Sequence, residues 1–150
     1  DVYLAGTGNN RHSARAQSLV KDLEVQNYAH FLGFCDYIPD LLLSNRICVL
    51  STHYEGMPLS LSEGMAAGCA VIGSSVVGVK EMITHKHDGL LVEPLSTEAL
   101  ADGLETLLTD LDLAERLAST ARQRAMNELS TEVMVDRYEQ MIVSLLQIKI

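Results

Sequence analysis

The sequence lacks the features that would direct a chain to a membrane or to a nucleic acid. No apolar run approaches the length of a membrane-spanning helix, and no signal-peptide pattern is present, so we expect a cytoplasmic protein. Basic residues are few, with 11 Lys and Arg against 20 Asp and Glu and a net charge of −9, which argues against a nucleic-acid partner. An anionic ligand would therefore need local backbone donors and a few nearby cations.

Cysteine is scarce as well, and its spacing does not suggest a cysteine-based site. Cys35, Cys48 and Cys69 form no C-x-x-C pair, and the last two lie in or beside apolar runs. We expect them to be buried free thiols in a reducing compartment. His85 and His87 stand in the polar stretch H-K-H-D-G without a cluster of further ligands, which indicates a loop rather than a metal site.

The composition is that of one globular domain over residues 1–150. Hydrophobic residues make up 47% of the chain and charged residues 21%, and 150 residues are enough to bury a core. The chain begins at Asp1, without Met, directly in a strand-like run. We therefore expect a fragment of a longer protein.

Short apolar runs alternate with helical patterns along the chain. Strands are predicted at residues 2–5, 28–32, 46–50, 70–73 and 89–93, with helices between them and three longer helices from Thr97 onward. This alternation predicts the α/β class: a doubly wound, Rossmann-like parallel sheet with helices on both faces. Ligands of such sheets bind beyond the carboxyl ends of the strands.

The loop after the first strand, G-T-G-N-N, is weak evidence for a dinucleotide site. Arg11 stands where the third glycine of G-x-G-x-x-G belongs, and no acid ends the second strand. A non-catalytic Rossmann-type nucleotide-binding or regulatory module remains an alternative. A receiver-type signalling domain would need an Asp at the end of the third strand, where Leu50 and Ser51 stand.

The most informative stretch is T-H-Y-E-G-M-P-L-S-L-S-E-G-M-A-A-G, residues 52–68. Pro58 suits the first turn of a helix, so we place the helix start near residues 57–59. The N–H groups of Leu59, Ser60 and Leu61 would then lack partners within the helix. Together with the helix dipole they would form an anion site suited to a phosphate or diphosphate.

Two carboxylates, Glu55 and Glu63, flank this proposed anion site with seven residues between them. Glu63 could accept hydrogen bonds from the two hydroxyls of a ribose, and Glu55 could bind hydroxyls of a second group such as a sugar. The simpler interpretation is that Glu63 is an ordinary helix acid and Glu55 a solvated loop acid. Spacing alone does not choose between the two interpretations.

The segment E-G-M-P-L-S-L-S-E-G-M-A-A-G resembles the E-x7-E signature of retaining glycosyltransferases of family 4 (group 1), which have the GT-B fold. The resemblance implies the C-terminal, donor-binding domain, truncated at its first strand. It gives Glu55 the contact to the donor sugar, as the catalytic residue, and Glu63 the ribose. The family often has Ser where Thr52 stands and a glycine pair where only Gly78 is present.

The remaining site residues also follow from the resemblance. The backbone around the motif would face the sugar and diphosphate, the first loop would lie near the donor, and main-chain groups after the second strand would read the base edge. The implied donor-binding residues are Glu63, Gly56, Met57, Pro58, Leu59, Ser60, Leu61, Gly6, Gly8, Gly33 and Phe34. The resemblance implies no metal and no cofactor, and the nucleotide sugar enters as substrate.

The expected function is transfer of a hexose-type sugar, with retention, from a UDP-sugar in preference to a GDP-sugar. The acceptor would be a saccharide or lipid-linked acceptor in polysaccharide biosynthesis, bound through a missing N-terminal domain at the inner face of the membrane. The last helix, about residues 131–147, would cross to that domain or, left exposed, support a dimer. The fragment alone would be inactive. A GT-B epimerase or phosphorylase is a further alternative.

Overall fold

The computed structural model of the chain describes residues 1–7 and 10–147. In this part of the chain the strands are β1 (Val2–Ala5), β2 (Ala29–Gly33), β3 (Ile47–Leu50), β4 (Ala70–Ser74) and β5 (Leu90–Val92). The helices are α1 (Asn10–Asp22), α2 (Ile38–Leu43), α3 (Leu59–Ala67), α4 (Val77–Met82), α5 (Thr97–Thr109), α6 (Leu111–Glu128) and α7 (Thr131–Gln147). Every predicted strand is present, and the predicted helices appear in the predicted order.

The chain divides into two compact units, Asp1–Ile38 and Pro39–Ile150. The first contains β1, α1 and β2, and its two strands pair in parallel from Val2 opposite Ala29. At the carboxyl ends of these strands the Gly6 N–H donates to the Gly33 carbonyl at 2.7 Å. The prediction of a single domain over residues 1–150 stays a prediction.

The second unit contains a three-stranded parallel sheet in the order β3-β4-β5. Ile47 pairs with Ala70, and Ile72 of the central strand pairs with Leu90. The parallel strands thus form two hydrogen-bonded sheets, one in each unit, with helical crossovers between successive strands of each. Parallel pairing throughout is what the strand–helix alternation predicts.

The core of the second unit lies on both faces of β4, whose five residues are all buried. Val71 points to a cluster on one face, whose other buried members are Leu61, Met65, Val79, Met82, Ile83, Ala121 and Ala125. Its neighbours Ala70 and Ile72 point to the other face, where they meet Leu90, Leu107 and Leu117. This alternation places a layer of helices on each face, as in doubly wound sheets.

A buried ion pair joins the turn after α4 to α6. Asp88 is 1% exposed, and its carboxylate accepts from Arg124 Nη1 at 2.7 Å and from the Thr84 N–H at 2.6 Å. The same guanidinium donates to the carbonyls of Met82 at 2.9 Å and Glu81 at 3.0 Å. One arginine therefore satisfies the last turn of α4 as well as the buried acid, which is the arrangement that makes a buried charge tolerable.

Helix α7 exposes nearly all of its apolar side chains. Ser130 caps it by accepting from the Val133 N–H at 3.3 Å. Its exposed apolar residues are Met134, Val135, Tyr138, Met141, Ile142, Val143, Leu145 and Leu146. The last helix predicted from the sequence, about residues 131–147, therefore has an exposed apolar stripe. Within the described residues, no helix combines the length and the apolar character needed to cross a bilayer.

Candidate active site

The N-terminus of α3 is open on one side. The helix begins at Leu59, and Pro58 is its N-cap, with φ −74° and ψ 103° and no side-chain cap. The N–H groups of Leu59 and Ser60 have no acceptor among the residues that the structure describes. The Leu61 N–H donates to the Pro58 carbonyl at 3.1 Å, so the prediction that it is free is wrong. The first turn is tight enough to use that donor internally, which leaves two N–H groups for an anion.

The motif residues around this terminus differ in what they offer to a ligand. Pro58 is buried, and the Leu61 side chain is 0% exposed in the core. Met57 and Leu59 are 63% and 65% exposed, and a Cβ on Gly56 would meet no atom within 4 Å. A ligand at this site would therefore meet main chain and flanking apolar side chains rather than Pro58 or the Leu61 side chain.

The loop before α3 is tied to the end of β4. The Thr52 N–H donates to Ser74 Oγ at 3.0 Å, and Ser74 is 4% exposed at the last position of β4. Thr52 Oγ1 lies 3.2 Å from Glu55 Oε1 and 3.1 Å from the Tyr54 carbonyl. The half-buried Glu55 is thus held at the carboxyl ends of two neighbouring parallel strands, where sheet ligands bind.

Gly78 lies in the first turn of α4 and packs against the backbone of the loop before α3. We call this loop, residues 51–58, the motif loop. A Cβ at this position would overlap the carbonyl oxygens of Glu55 and Gly56 and lie 2.6 Å from the Gly56 carbonyl carbon. Only a residue without a side chain allows this approach. Gly78 therefore allows the Glu55–Gly56 backbone to pack directly on α4, which fixes its position.

Close contact between α3 and β3 fixes the direction of the helix. A Cβ on Gly64 would lie 2.7 Å from Cys48 Sγ, so this glycine lets α3 touch the strand. Burial raises the pKa of the Cys48 thiol to about 12, with smaller contributions from Cys69 and the negative charge of Glu63. Cys48 is consequently a neutral packing residue at physiological pH. Glu63 is exposed, one turn into α3.

The predicted residues of the first unit lie at the ends of β1 and β2. Gly6 and Gly33 have φ values of +127° and +66°, which only glycine adopts readily, and a hydrogen bond joins them. Phe34 follows with 80% exposure. Gly8 lies outside the described residues. These residues and the motif residues belong to different units.

His30 lies in β2 and packs against Tyr3 of β1. Its ring stacks on Tyr3 with 5.0 Å between centroids, and its Nε2 is buried without a hydrogen-bond partner among the described residues. The Asp1 carboxylate stands 3.6 Å away, beyond hydrogen-bond distance. Alternation predicted that His30 lies in a strand, but stacking on a neighbouring strand is a cross-strand contact that alternation does not reveal.

A shallow cleft of about 220 Å³ opens at the carboxyl ends of β3, β4 and β5. It is lined by Ser51, Thr52, His53, Ser74, Val92, Glu93, Leu95, Ser96, Thr97 and Leu100. Sequence reasoning did not single out Ser74 or Glu93 as site residues. The available signal was that each of them stands at, or directly after, the end of a predicted parallel strand. Within the described ranges, no three His, Cys, Asp or Glu side chains form a metal-ligand set.

The family model for glycosyl transferases group 1 matches residues 1–124 of the chain. The chain belongs to this family. Among its relatives, N-acetyl-alpha-D-glucosaminyl L-malate synthase of Bacillus anthracis is 32% identical over 139 residues, which cover 93% of this chain and 36% of that protein. The N,N'-diacetylbacillosaminyl-diphospho-undecaprenol alpha-1,3-N-acetylgalactosaminyltransferase of Campylobacter jejuni is 33% identical over 109 residues, or 73% of this chain and 29% of that protein. The chain spans about a third of the length of these relatives.

Solved structures agree with the fold of this group 1 domain. The Anabaena protein HepE in complex with UDP has a TM-score of 0.89 at 23% identity, over 95% of this chain and 40% of its own. The C-terminal domain of a group 1 glycosyl transferase, LpcC from Francisella tularensis, has a TM-score of 0.75 at 28% identity, over 80% of this chain and 63% of its own. The predicted fold class, a Rossmann-like C-terminal half of a GT-B glycosyltransferase, is confirmed.

Proposed function

We propose that this group 1 domain binds the nucleotide-sugar donor of a retaining glycosyltransferase. The observation that carries the proposal is the open N-terminus of α3, directly after a loop that holds Glu55 at the carboxyl ends of β3 and β4. An anion-binding helix end beside a carboxylate suits a ligand that joins a diphosphate to a polyhydroxylated group.

Each part of the donor has a place in this proposal. The diphosphate lies at the free N–H groups of Leu59 and Ser60, whose local positive potential offsets the net charge of −9. Glu63 accepts hydrogen bonds from the ribose hydroxyls, and Glu55 contacts the sugar as the catalytic residue. As the sugar is transferred, the same helix terminus stabilises the negative charge that develops on the departing diphosphate.

Uridine is the proposed base and a saccharide or lipid-linked molecule the proposed acceptor. The resemblance to family 4 supports both, and the Campylobacter relative is named for a diphospho-undecaprenol acceptor. Hexosyl transfer in polysaccharide biosynthesis on the cytoplasmic side, without a metal or cofactor, completes the proposal. The resemblance to family 4 also assigns Gly6, Gly8, Gly33 and Phe34 to donor binding.

We propose that the exposed apolar side chains of α7 pack against another part of the enzyme. The relatives are about three times as long as this chain, and eight apolar side chains of α7 are exposed. Packing α7 against an N-terminal domain would bury them, and a dimer through α7 is the alternative. This chain alone would then bind the donor weakly and not turn over.

Thermal unfolding of the chain with UDP, GDP and NAD tests the proposal. At a ligand concentration about ten times Kd, stabilisation is about 1.4 kcal/mol. For a domain of this size we expect the melting temperature to rise by about 3–6 °C with UDP, and not with NAD. A rise in melting temperature with GDP alone would indicate that the donor base is guanosine and not uridine. A rise with NAD alone would favour the nucleotide-binding module, and no rise with any nucleotide at millimolar concentration would contradict donor binding by this chain.

Glu63→Ala tests the ribose assignment. Losing a hydrogen-bond acceptor for the ribose hydroxyls should weaken UDP binding by roughly 1–3 kcal/mol, measured by calorimetry. Glu55→Ala is the matched control, because it removes the other motif carboxylate. It should leave UDP affinity intact while reducing the preference for UDP-sugar over UDP. Unchanged UDP affinity in Glu63→Ala would rule out the ribose assignment.

A further inference from the structure

Two hydroxyl residues connect the core of the sheet to Glu55. Ser74, 4% exposed at the end of β4, accepts the Thr52 N–H at 3.0 Å. Thr52 Oγ1 in turn lies 3.2 Å from Glu55 Oε1. The connection runs from a fixed strand, through one main-chain group and one hydroxyl, to the carboxylate that the proposed function assigns to the donor sugar.

We propose that Thr52 is a positioning residue for Glu55 and that Ser74 fixes Thr52 in the place where it can act. This inference rests on the proposed function, since it concerns how Glu55 meets the sugar. Thr52 itself contacts no substrate in the proposal. Its hydroxyl holds one carboxylate oxygen, Oε1, and leaves Oε2 to accept a hydroxyl of the sugar.

The reason lies in the freedom of a glutamate side chain. Glu55 has three side-chain torsions, and among the described residues its carboxylate makes no ion pair and no hydrogen bond other than the one to Thr52. A single hydroxyl donor therefore selects the carboxylate position. Holding a reacting group in one geometry before the substrate arrives accounts for a large share of enzymatic rate enhancement.

The Tyr54 carbonyl, 3.1 Å from Thr52 Oγ1, defines the competing role. A hydroxyl has one hydrogen, and if that hydrogen bonds only the carbonyl, Thr52 shapes the turn and leaves Glu55 free. A turn-shaping residue would affect the whole loop, including the free N–H groups of α3 and hence UDP binding. A positioning residue would affect the sugar and not UDP. The two roles therefore predict different ligand selectivity.

The experiment uses the full-length protein with three variants. Thr52→Val removes the hydroxyl at nearly constant volume, and Thr52→Ser retains it. Thr106→Val is the matched control, because Thr106 Oγ1 lies on the exposed face of α5 and donates to the Asp102 carbonyl. Affinities for UDP and for UDP-glucose or UDP-N-acetylglucosamine are measured by calorimetry, together with kcat, KM and the melting temperature.

We expect Thr52→Val to reduce both kcat and the preference for UDP-sugar over UDP about tenfold, the effect of losing one hydrogen bond to a charged group. UDP affinity should stay within about twofold, since the α3 terminus is untouched. Thr52→Ser and Thr106→Val should resemble the wild type. In a Glu55→Ala background, Thr52→Val should have no further effect, because the two residues act as one unit.

Three results would overturn the inference: equal losses for UDP and UDP-sugar in Thr52→Val, a Thr52→Ser variant as impaired as Thr52→Val, or an undiminished effect in the Glu55→Ala background. Failure of the wild type to bind any UDP- or GDP-sugar would instead overturn the proposed function. Ser74→Ala gives a second measurement from the other end of the connection. It should reduce the same preference, and restoring its melting temperature with a stabilising buffer should not restore that preference.

Discussion

Asp88→Ala is expected to lower the free energy of unfolding by about 3–5 kcal/mol. The substitution leaves the partly buried Arg124 without its 2.7 Å partner and removes the acceptor of the Thr84 N–H. The Thr84 N–H would lose its acceptor, and the guanidinium of Arg124, 23% exposed, would keep only the exposed Glu128 as a carboxylate partner. The melting temperature should fall by roughly 2–4 °C for each kcal/mol, which thermal or urea unfolding would detect readily.

Glu128→Ala is the matched control for this prediction. It removes the other carboxylate on Arg124, at 3.2 Å, but Glu128 is 49% exposed and pairs within one turn of α6. Exposed pairs of this kind contribute less than about 1 kcal/mol, so the control should unfold nearly like the wild type. Equal destabilisation by the two substitutions would mean that burial does not set the strength of the Asp88 pair.

Gly78→Ala should disable the motif loop. The new methyl group would overlap the carbonyl oxygens of Glu55 and Gly56, and both are backbone atoms that cannot rotate away. Either α4 or the loop must move, at a cost of about 1–3 kcal/mol, offset in part by the better helix propensity of alanine. Because displacement of the loop moves Glu55 and the α3 terminus together, we expect donor affinity to fall at least about tenfold. Calorimetry with UDP-sugar and thermal unfolding measure the two effects separately.

Gly103→Ala provides the comparison for Gly78→Ala. Its Cβ would lie 3.1 Å from Val92 Cγ1, a side-chain methyl group in place of a carbonyl oxygen. The same substitution in α5 should change the free energy of unfolding by no more than about 1 kcal/mol and leave donor affinity unchanged. Wild-type affinity in Gly78→Ala would show that the Glu55–Gly56 segment does not depend on α4.

The sequence predicted the parts of this fold that depend on local pattern. Short apolar runs placed each strand to within two residues, and Leu117, Ala121 and Ala125, which are spaced by four in the sequence, lie on the buried face of α6. Helix α3 was predicted from Pro58, which suits the first turn of a helix. These signals work because each one reflects a constraint that acts within one turn or one strand.

The contacts that fix the candidate site were harder to predict because they join distant residues. Asp88 and Arg124 are 36 positions apart, and the local sequence H-K-H-D-G does not indicate that Asp88 pairs with Arg124. In the sequence, Gly78 stands out only as a single glycine where the family has a pair, because its packing role depends on the loop that it contacts. The Leu61 N–H was assigned to a ligand because helix periodicity does not reveal how tightly the first turn closes. The roles assigned to Glu55 and Glu63 stay predictions.

The Arg124 side chain has a consequence for how the second unit can fluctuate. It holds the carbonyls at the end of α4 and the acid of the following turn, while the start of α4 lies against the motif loop. Local opening of α4 alone would break the Arg124 hydrogen bonds at its end and the packing of Gly78 on the motif loop at its start. The motif loop, α4, the turn at residues 83–89 and the second half of α6 should therefore open as one cooperative segment. Amide hydrogens of the motif loop would then exchange at rates governed by α6, although α6 contributes no residue to the proposed donor site.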